Sequence, residues 1–240
     1  MACWRSRSRR WNLRDSQASH RCEPSVHSQG EAQRWMRPVI VVPVLNEAEY
    51  IGVMLESALS QDADSDVVVI DGGSTDGTVD VAERYGVRVI VLPGSKLRAR
   101  DYAYRNLPYE VQLHTDGDVI LPSGWVRLMC SHFDDPSVVA VAGTTDLGLI
   151  GVLLRPLYLA HFGSRLSGRS NAVRRSAYIA SGGFDNLEPR TGTECIAEEE
   201  VKLYRKMARI GRVVLETRVP VVHLRWTSHF SDGVRRTAKP

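Results

Sequence analysis

No stretch of this 240-residue chain reaches the run of about 18 apolar residues that a membrane-spanning helix needs. Nor does an apolar segment follow the arginine-rich start, so no secretory signal is read there. The four cysteines, Cys3, Cys22, Cys130 and Cys195, show no CxxC and no paired spacing. A disulfide framework is therefore not expected, and a reducing compartment fits better. There is no GxGxxG after the first β-branched run and no GxxxxGK[ST] anywhere, which counts against a dinucleotide dehydrogenase and a P-loop NTPase. Internal repeats are absent. Positive charge is missing where a nucleic-acid binder would carry it. Residues 1–35 hold seven Arg against three Asp or Glu, net +4, and the remainder holds 24 basic against 25 acidic residues, net −1. The formal +3 therefore belongs to the leading segment, and no nucleic-acid partner is expected for the body.

What remains is the composition of a globular domain, with 43% hydrophobic and 25% charged residues, long enough to bury a real core. Residues 1–35 have neither helical nor strand periodicity and read as a basic, disordered arm. It is either an over-long start before Met36 or an arm for acidic lipid or RNA. From residue 38 the pattern turns regular. "PVIVVPV" is a continuous β-branched run, as in a parallel strand buried on both faces. "NEAEYIGVMLESALSQ" places Ile51, Met54, Leu55, Ala58 and Leu59 on one helical stripe, with Glu47 and Glu49 expected in the first turn. "DVVVI", "VRVIVLP" and "EVQLHTD" read as further strands. "STDGTVDVAERYG", with Ser/Thr/Asp capping candidates, and "SKLRARDYAYRN" are the helices between them. "PSGWVRLMCSHF" and "SVVAVAG" extend the alternation, which predicts an α/β fold with a mostly parallel central sheet flanked by helices.

The second half is less regular. "LIGVLLRPLYLAHFG" is apolar but broken by Arg155 and Pro156. It is read as a helix packed on the core, with an interfacial segment resting on a membrane surface as the alternative. "IAEEEVKLYRKMARIG" is a helix ended by glycine. "RVVLE" and "VPVVHLRW" read as closing strands. The expected organisation is an arm over 1–35, one domain over 36–228 with halves 36–122 and 123–228, and a tail over 229–240.

Ligands of open parallel sheets bind at the carboxyl ends of the strands, and there the polar residues collect. Asn46 and Glu47 follow the first strand, Asp71 ends the second, and Asp116 and Asp118 end the fourth in "HTDGDVILP". Singly, Asn46 reads equally well as a helix cap and Asp71 as a turn residue. Two aspartates one residue apart can face one crevice, and hard oxygen ligands suit Mg²⁺ or Mn²⁺, ions that keep waters and bridge to phosphates. The basic helix carrying Lys96, Arg98 and Arg100 either faces the same phosphates or is a solvated face.

These blocks together, with "NAVRRSAYIASGGFDN" and "AEEEVKLYRKMARIGRVV" after them, resemble the nucleotide-sugar-dependent glycosyltransferases of family two. They occur in that family's order, from about residue 38 to 226. The resemblance implies a single Rossmann-like type-A glycosyltransferase domain that uses a nucleoside-diphosphate sugar, a UDP-sugar ahead of a GDP-sugar, with Mn²⁺ or Mg²⁺. It further implies donor contacts from Pro43, Asn46, Glu47, Asp71 and Asp116, to which the basic helix adds Lys96 and Arg98 as donor-side candidates. Asp118 is implied as the metal ligand, with Asp116 and His223 as further metal positions. Catalysis falls to Glu200 or Glu199, where the family has Glu-Asp and the second residue is the base; the triple glutamate 198–200 leaves that register open. Gly72 stands where the family usually has a second aspartate. The "HLRW" block lacks the glutamine of the QxxRW motif of processive synthases, so processive synthesis is not expected. An inverting transfer to an acceptor hydroxyl or phosphate follows, the acceptor being lipid-linked or a glycan. The site would be cytoplasmic, at most peripheral to the membrane's inner face. A sugar-phosphate nucleotidyltransferase and a silent nucleotide-sugar-binding module are the alternatives.

Overall fold

The computed structural model describes residues 37–146, 165–188 and 193–225. Strand β1 (Val39–Val44) is β-branched at five of its six positions and buried along its whole length, as only a strand covered on both faces can be. Its side chains alternate between two cores. Ile40, Val42 and Val44 pack with Ile51, Met54 and Leu55 of helix α1 (Ile51–Leu59), while Val41 and Val39 pack with Ala99 and Ala103 of a helix on the opposite face.

The order continues as β2 (Asp66–Asp71), α2 (Thr78–Arg84), β3 (Arg88–Val91), α3 (Lys96–Asn106), β4 (Val111–His114), the short β5 (Val119–Ile120) and α4 (Trp125–Ser131). It then runs through β6 (Val138–Ala142), β7 (Asn171–Arg174), α5 (Arg175–Ala180), α6 (Thr193–Ile210), β8 (Arg212–Leu215) and β9 (Val222–His223). Seven strands form one sheet in the order β3-β2-β1-β4-β7-β6-β8, and β5 pairs separately with β9. Only β7 runs against its neighbours. The α/β fold with a mostly parallel, helix-flanked sheet is therefore as expected.

Register brings the chemistry together. Val44 lies beside Asp71 and Val41 beside His114, so the chain leaves β1, β2 and β4 at one edge. Pro43 helps to open that edge. The Val41 carbonyl accepts from Thr115 N–H at 3.2 Å, toward β4, and the Val44 carbonyl accepts from Gly72 N–H at 2.8 Å, toward β2. By alternation the missing N–H of Pro43 faces β4, where pairing has already stopped at His114. The two strands part there and leave a crevice.

Three local expectations are corrected. Helix α1 begins at Ile51, with Tyr50 at its N-cap and no acidic residue in its first turn. Glu47 instead closes a turn, its carbonyl accepting from the N–H groups of Tyr50 and Ile51. Helix α2 is preceded by Gly77 in the left-handed region, φ 89°, with no side-chain cap from that residue; Asp76, one position earlier, accepts from Thr78 N–H at 3.0 Å. "VPVVHLRW" yields only the two-residue β9, outside the main sheet. The basic arm, the apolar segment 149–163 and the tail from 226 lie outside the described residues. Among the described residues no helix is long and apolar enough to cross a membrane.

Candidate active site

The crevice is built by three loops tied to each other. Asn46 adopts φ 54°, the left-handed region that asparagine tolerates better than most residues. Its amide oxygen accepts from Thr75 N–H at 2.9 Å, while its own N–H donates to Ser74 Oγ at 2.8 Å. Asp71 is buried and accepts from the N–H groups of Gly73 and Ser74, at 2.9 and 3.0 Å, and from the Ser74 hydroxyl. Asn46 and Asp71 thus hold the β1–α1 and β2–α2 loops in place. Gly72 has a packing reason too. A Cβ there would stand 3.0 Å from the Gly94 carbonyl and 3.3 Å from that of Val44, so a second aspartate would require the backbone to move.

Glu47 is buried with its N–H bound to Thr78 Oγ1 at 2.8 Å. Its carboxylate accepts from Arg225 Nη2 at 2.6 Å, with Lys96 Nζ at 3.8 Å. Burial lifts the Glu47 carboxyl above its ordinary range, and Arg225 pulls in the opposite direction. The glycine of the Asp-Gly-Asp loop lies against these residues. A Cβ on Gly117 would meet Val44 Cγ1 at 2.8 Å and Glu47 Cγ at 3.3 Å, so a larger residue would push both aspartates off the sheet edge.

The two aspartates face different partners. Asp116 accepts from Arg100 Nη2 at 2.9 Å and lies 3.6 Å from Lys96 Nζ. Burial works against its charge, but Lys96, then Arg100 and Arg169 outweigh it and hold the carboxyl down at about 2. Asp118 accepts from Arg225 Nε at 2.8 Å and lies 3.6 Å from His223 Nε2, both through Oδ2. Its other oxygen, Oδ1, is buried and has no hydrogen-bond partner among the described residues. Burial keeps the neighbouring His223 imidazole below its ordinary value, hence neutral, the form that binds metals. An anionic oxygen denied both water and a donor, beside a neutral imidazole, fits a hard divalent cation. Asp118 and His223 are the residues that would hold one. Among the described residues no three His, Cys, Asp or Glu side chains converge on one point, and Mg²⁺ or Mn²⁺ sites commonly draw the rest of their ligands from phosphates and water.

Helix α6 delivers the other carboxylates, and its consecutive glutamates diverge as helical geometry requires. Glu199 accepts from the N–H groups of Asp185 and Asn186, at 2.9 and 3.1 Å, and pairs with Lys202 at 2.9 Å; it fastens the turn after "GGF". Glu200 points the other way. Its Oε1 accepts from Gly168 N–H at 2.7 Å and from Arg100 Nη1 at 3.3 Å, with Arg165 Nε 3.8 Å from Oε2. Burial lifts the Glu200 carboxyl above its ordinary range, with Arg100 as the largest opposing influence.

Of the sequence-derived residues, the structure gathers Glu47, Lys96, Asp116, Asp118, Glu200 and His223, with Pro43, Asn46 and Asp71 shaping the floor and loops. Arg98 does not join them: it is half exposed, packs along Gly94 and pairs with Glu188 at 3.6 Å. Glu199 is likewise turned away. Two further members join them: Arg100, which the sequence offers only as one cation of the basic helix, and Arg225, which it gives no role. Arg100, 3% exposed, bridges Asp116 and Glu200, and a Cβ on Gly168 would overlap its guanidinium. Arg225 bridges Asp118 and Glu47. The i, i+4 spacing of Lys96 and Arg100 is the signal that sets them apart from Arg98; nothing in the sequence marks Arg225 as their counterpart.

A mostly parallel sheet with an acidic crevice at the carboxyl ends of β1, β2 and β4 is the architecture of the type-A glycosyltransferases, and solved structures agree. The mannosyltransferase PcManGT of Pyrobaculum calidifontis, crystallised with GDP-Man and Mn²⁺, superposes with TM-score 0.63 at 22% identity, covering 86% of this chain and 70% of that one. Glucosyl-3-phosphoglycerate synthase of Mycobacterium tuberculosis, in complex with Mn²⁺, UDP and glucosyl-3-phosphoglycerate, gives TM-score 0.59 at 21% identity, covering 86% and 78%. The sequence profile described as Glycosyl transferase family 2 matches residues 39–184; the chain belongs to that family. Among curated relatives, glycosyltransferase AglJ of Haloferax volcanii is 39% identical over 82 residues, 32% of this chain and 27% of its own. A 4,4'-diaponeurosporenoate glycosyltransferase of Staphylococcus aureus is 43% identical over 51 residues, 21% and 14%. The matched part thus spans about a quarter or less of either relative.

Proposed function

We propose that this chain transfers a sugar from a nucleoside-diphosphate sugar to an acceptor hydroxyl or phosphate by a metal-dependent, inverting displacement. The observation that carries this reading is the division of the Asp-Gly-Asp pair. One carboxylate is held by Lys96 and Arg100, and the other presents a bare buried oxygen beside His223. A divalent ion bound at Asp118 would supply Lewis-acid neutralisation of the leaving diphosphate. Lys96 and Arg225 stand at the same mouth and offer cationic donors to phosphate oxygens. Asp116, kept ionised, offers an acceptor to the hydroxyls of the ribose or sugar. Glu200 is the base: burial raises its proton affinity toward the working range, where general-base help is worth roughly 10²–10⁴-fold.

The complexes of the two solved relatives support this reading, one with GDP-Man and Mn²⁺, the other with UDP and Mn²⁺. They leave a UDP-sugar and a GDP-sugar both open as donor for this chain. The acceptor is lipid-linked, a glycan or a small hydroxylated molecule, and the site is cytoplasmic, at most peripheral to the membrane. One observation favours the silent binding module: Glu200 already holds Gly168 N–H and Arg100. Mn²⁺-dependent hydrolysis of a panel of UDP- and GDP-sugars tests both readings. Turnover that falls at least about 100-fold in Asp118→Ala supports the transferase. Binding without turnover supports the silent module, and conversion of the nucleotide sugar to nucleoside triphosphate and sugar 1-phosphate only when pyrophosphate is added supports a nucleotidyltransferase.

A further inference from the structure

Arg225 sits where a phosphate-bridging cation would be expected to act, and it bridges two carboxylates. Its Nε donates to Asp118 Oδ2 at 2.8 Å and its Nη2 to Glu47 Oε2 at 2.6 Å. The guanidinium carbon lies 4.9 Å from the centroid of the Tyr50 ring. This is a built arrangement. The backbone that carries Arg225 is pinned along the Asp-Gly-Asp loop: His223 pairs with Val119, and Leu224 N–H donates to the Asp118 carbonyl at 2.8 Å. The backbone of Glu47 is held by the bond between its N–H and Thr78 Oγ1. One cation therefore serves both carboxylates at the mouth of the crevice, with Lys96 at 3.8 Å from Glu47 as a second.

The electrostatic consequence concerns the order of binding. Glu47, Asp116 and Asp118 bring three negative charges, and Arg225, Lys96 and Arg100 bring three positive ones. A divalent cation arriving alone at Asp118 Oδ1 meets a neutralised cluster and a guanidinium already seated on the other oxygen of the same carboxylate. A diphosphate changes that balance, because its negative charges attract both the ion and Arg225.

We propose that Arg225 makes metal capture conditional on the nucleotide: bridging Asp118 and Glu47, it suppresses binding of a lone divalent ion and favours joint binding of ion and diphosphate. This rests on the reading of the crevice as a metal–diphosphate site.

The test is Mn²⁺ titration of the full chain, followed by electron paramagnetic resonance of the free ion, alone and with UDP or GDP. In the unmodified protein, nucleotide is expected to tighten Mn²⁺ binding strongly. Arg225→Met keeps the length of the side chain and removes its charge. It is expected to bind Mn²⁺ alone about tenfold more tightly, with a correspondingly smaller gain from nucleotide. Arg225→Lys, which keeps the charge, should stay near the unmodified protein. A merely structural role for Arg225 would not raise metal affinity when it is removed. Unchanged Mn²⁺ affinity in Arg225→Met, with nucleotide still promoting Mn²⁺ binding in the unmodified protein, overturns the proposal and leaves the site reading intact. Absence of nucleotide-promoted Mn²⁺ binding in the unmodified protein overturns both.

Discussion

The β1–β4 half of the sheet and the β6–β8 half place carboxylates at the same crevice by different means. In the first half, strand, turn and acidic residue follow each other within a few positions; Asp71 is clasped by its neighbours Gly73 and Ser74, while Asn46 and Glu47 tie their loop to the next one through Thr75 and Thr78. In the second, β7 runs antiparallel and the critical carboxylate arrives on a helix. Glu200 is then fixed by residues 32 and 100 positions away, Gly168 and Arg100. The first half places its acids by local backbone geometry, and bonds between loops then hold them. The second depends on one buried guanidinium that couples the halves.

The largest expected effect comes from removing that coupling. Arg100→Met leaves Asp116 and Glu200 ionisable, buried and without their shared cation. It is expected to cost about 3–5 kcal/mol in a urea melt, the usual penalty for an uncompensated buried charge. A loss below about 1 kcal/mol would mean that the halves hold together without the bridge.

The next contrast separates the two glutamates of α6. Glu200→Gln is expected to abolish transfer while nucleotide-sugar affinity stays within a few-fold. Glu199→Gln should mainly loosen the turn at Asp185 and Asn186, at about 1–3 kcal/mol of stability. If kcat collapses in the Glu199 variant and survives in the other, the base is Glu199.

Acid should also distinguish the two halves. Glu200 is held above its ordinary 4.5 by burial and, as the proposed base, would work only when ionised. kcat should therefore fall as pH is lowered, with its acid limb above that value; a limb at or below 4.5 would contradict the assignment. Asp116 behaves oppositely. Its folded value of about 2 lies below its ordinary 3.8, so the fold favours its charged form. That contribution to stability is complete above the ordinary value and is lost as pH falls from about 4 toward 2, which denaturant melts across that window would show.

The smallest effect concerns local geometry. Asn46→Ala, at φ 54° and without the bond to Thr75 N–H, is expected to cost about 1–2 kcal/mol, and Asn46→Gly should recover the backbone part. Equal losses would assign the whole effect to the hydrogen bond.

Legibility in the sequence follows the same division. The β-branched runs, the periodic helices and the acidic residues after β1, β2 and β4 are local patterns, and the mostly parallel sheet that they imply is observed, with the antiparallel β7, which no such pattern marks, inserted between β4 and β6. The start of α1 was misplaced because Glu47 reads as a first-turn acid, whereas Asn46 and Thr78 hold it in a turn. Arg98 and Arg100 look equivalent in "KLRAR". Two helix positions, about 200° apart, send one to Glu188 and the other into the centre of the molecule.

By itself, the sequence determined the α/β class and the edge of the sheet where the acidic residues collect, because periodicity and strand-end placement depend only on neighbours in the chain. Tertiary structure alone decided which acid has which partner: Asp116 on Arg100, Asp118 with one bare oxygen, Glu199 turned to a loop and Glu200 to the crevice. A charged group's partners are fixed by what packs within a few ångströms, and here those groups are as far as 178 positions away, as Arg225 is from Glu47.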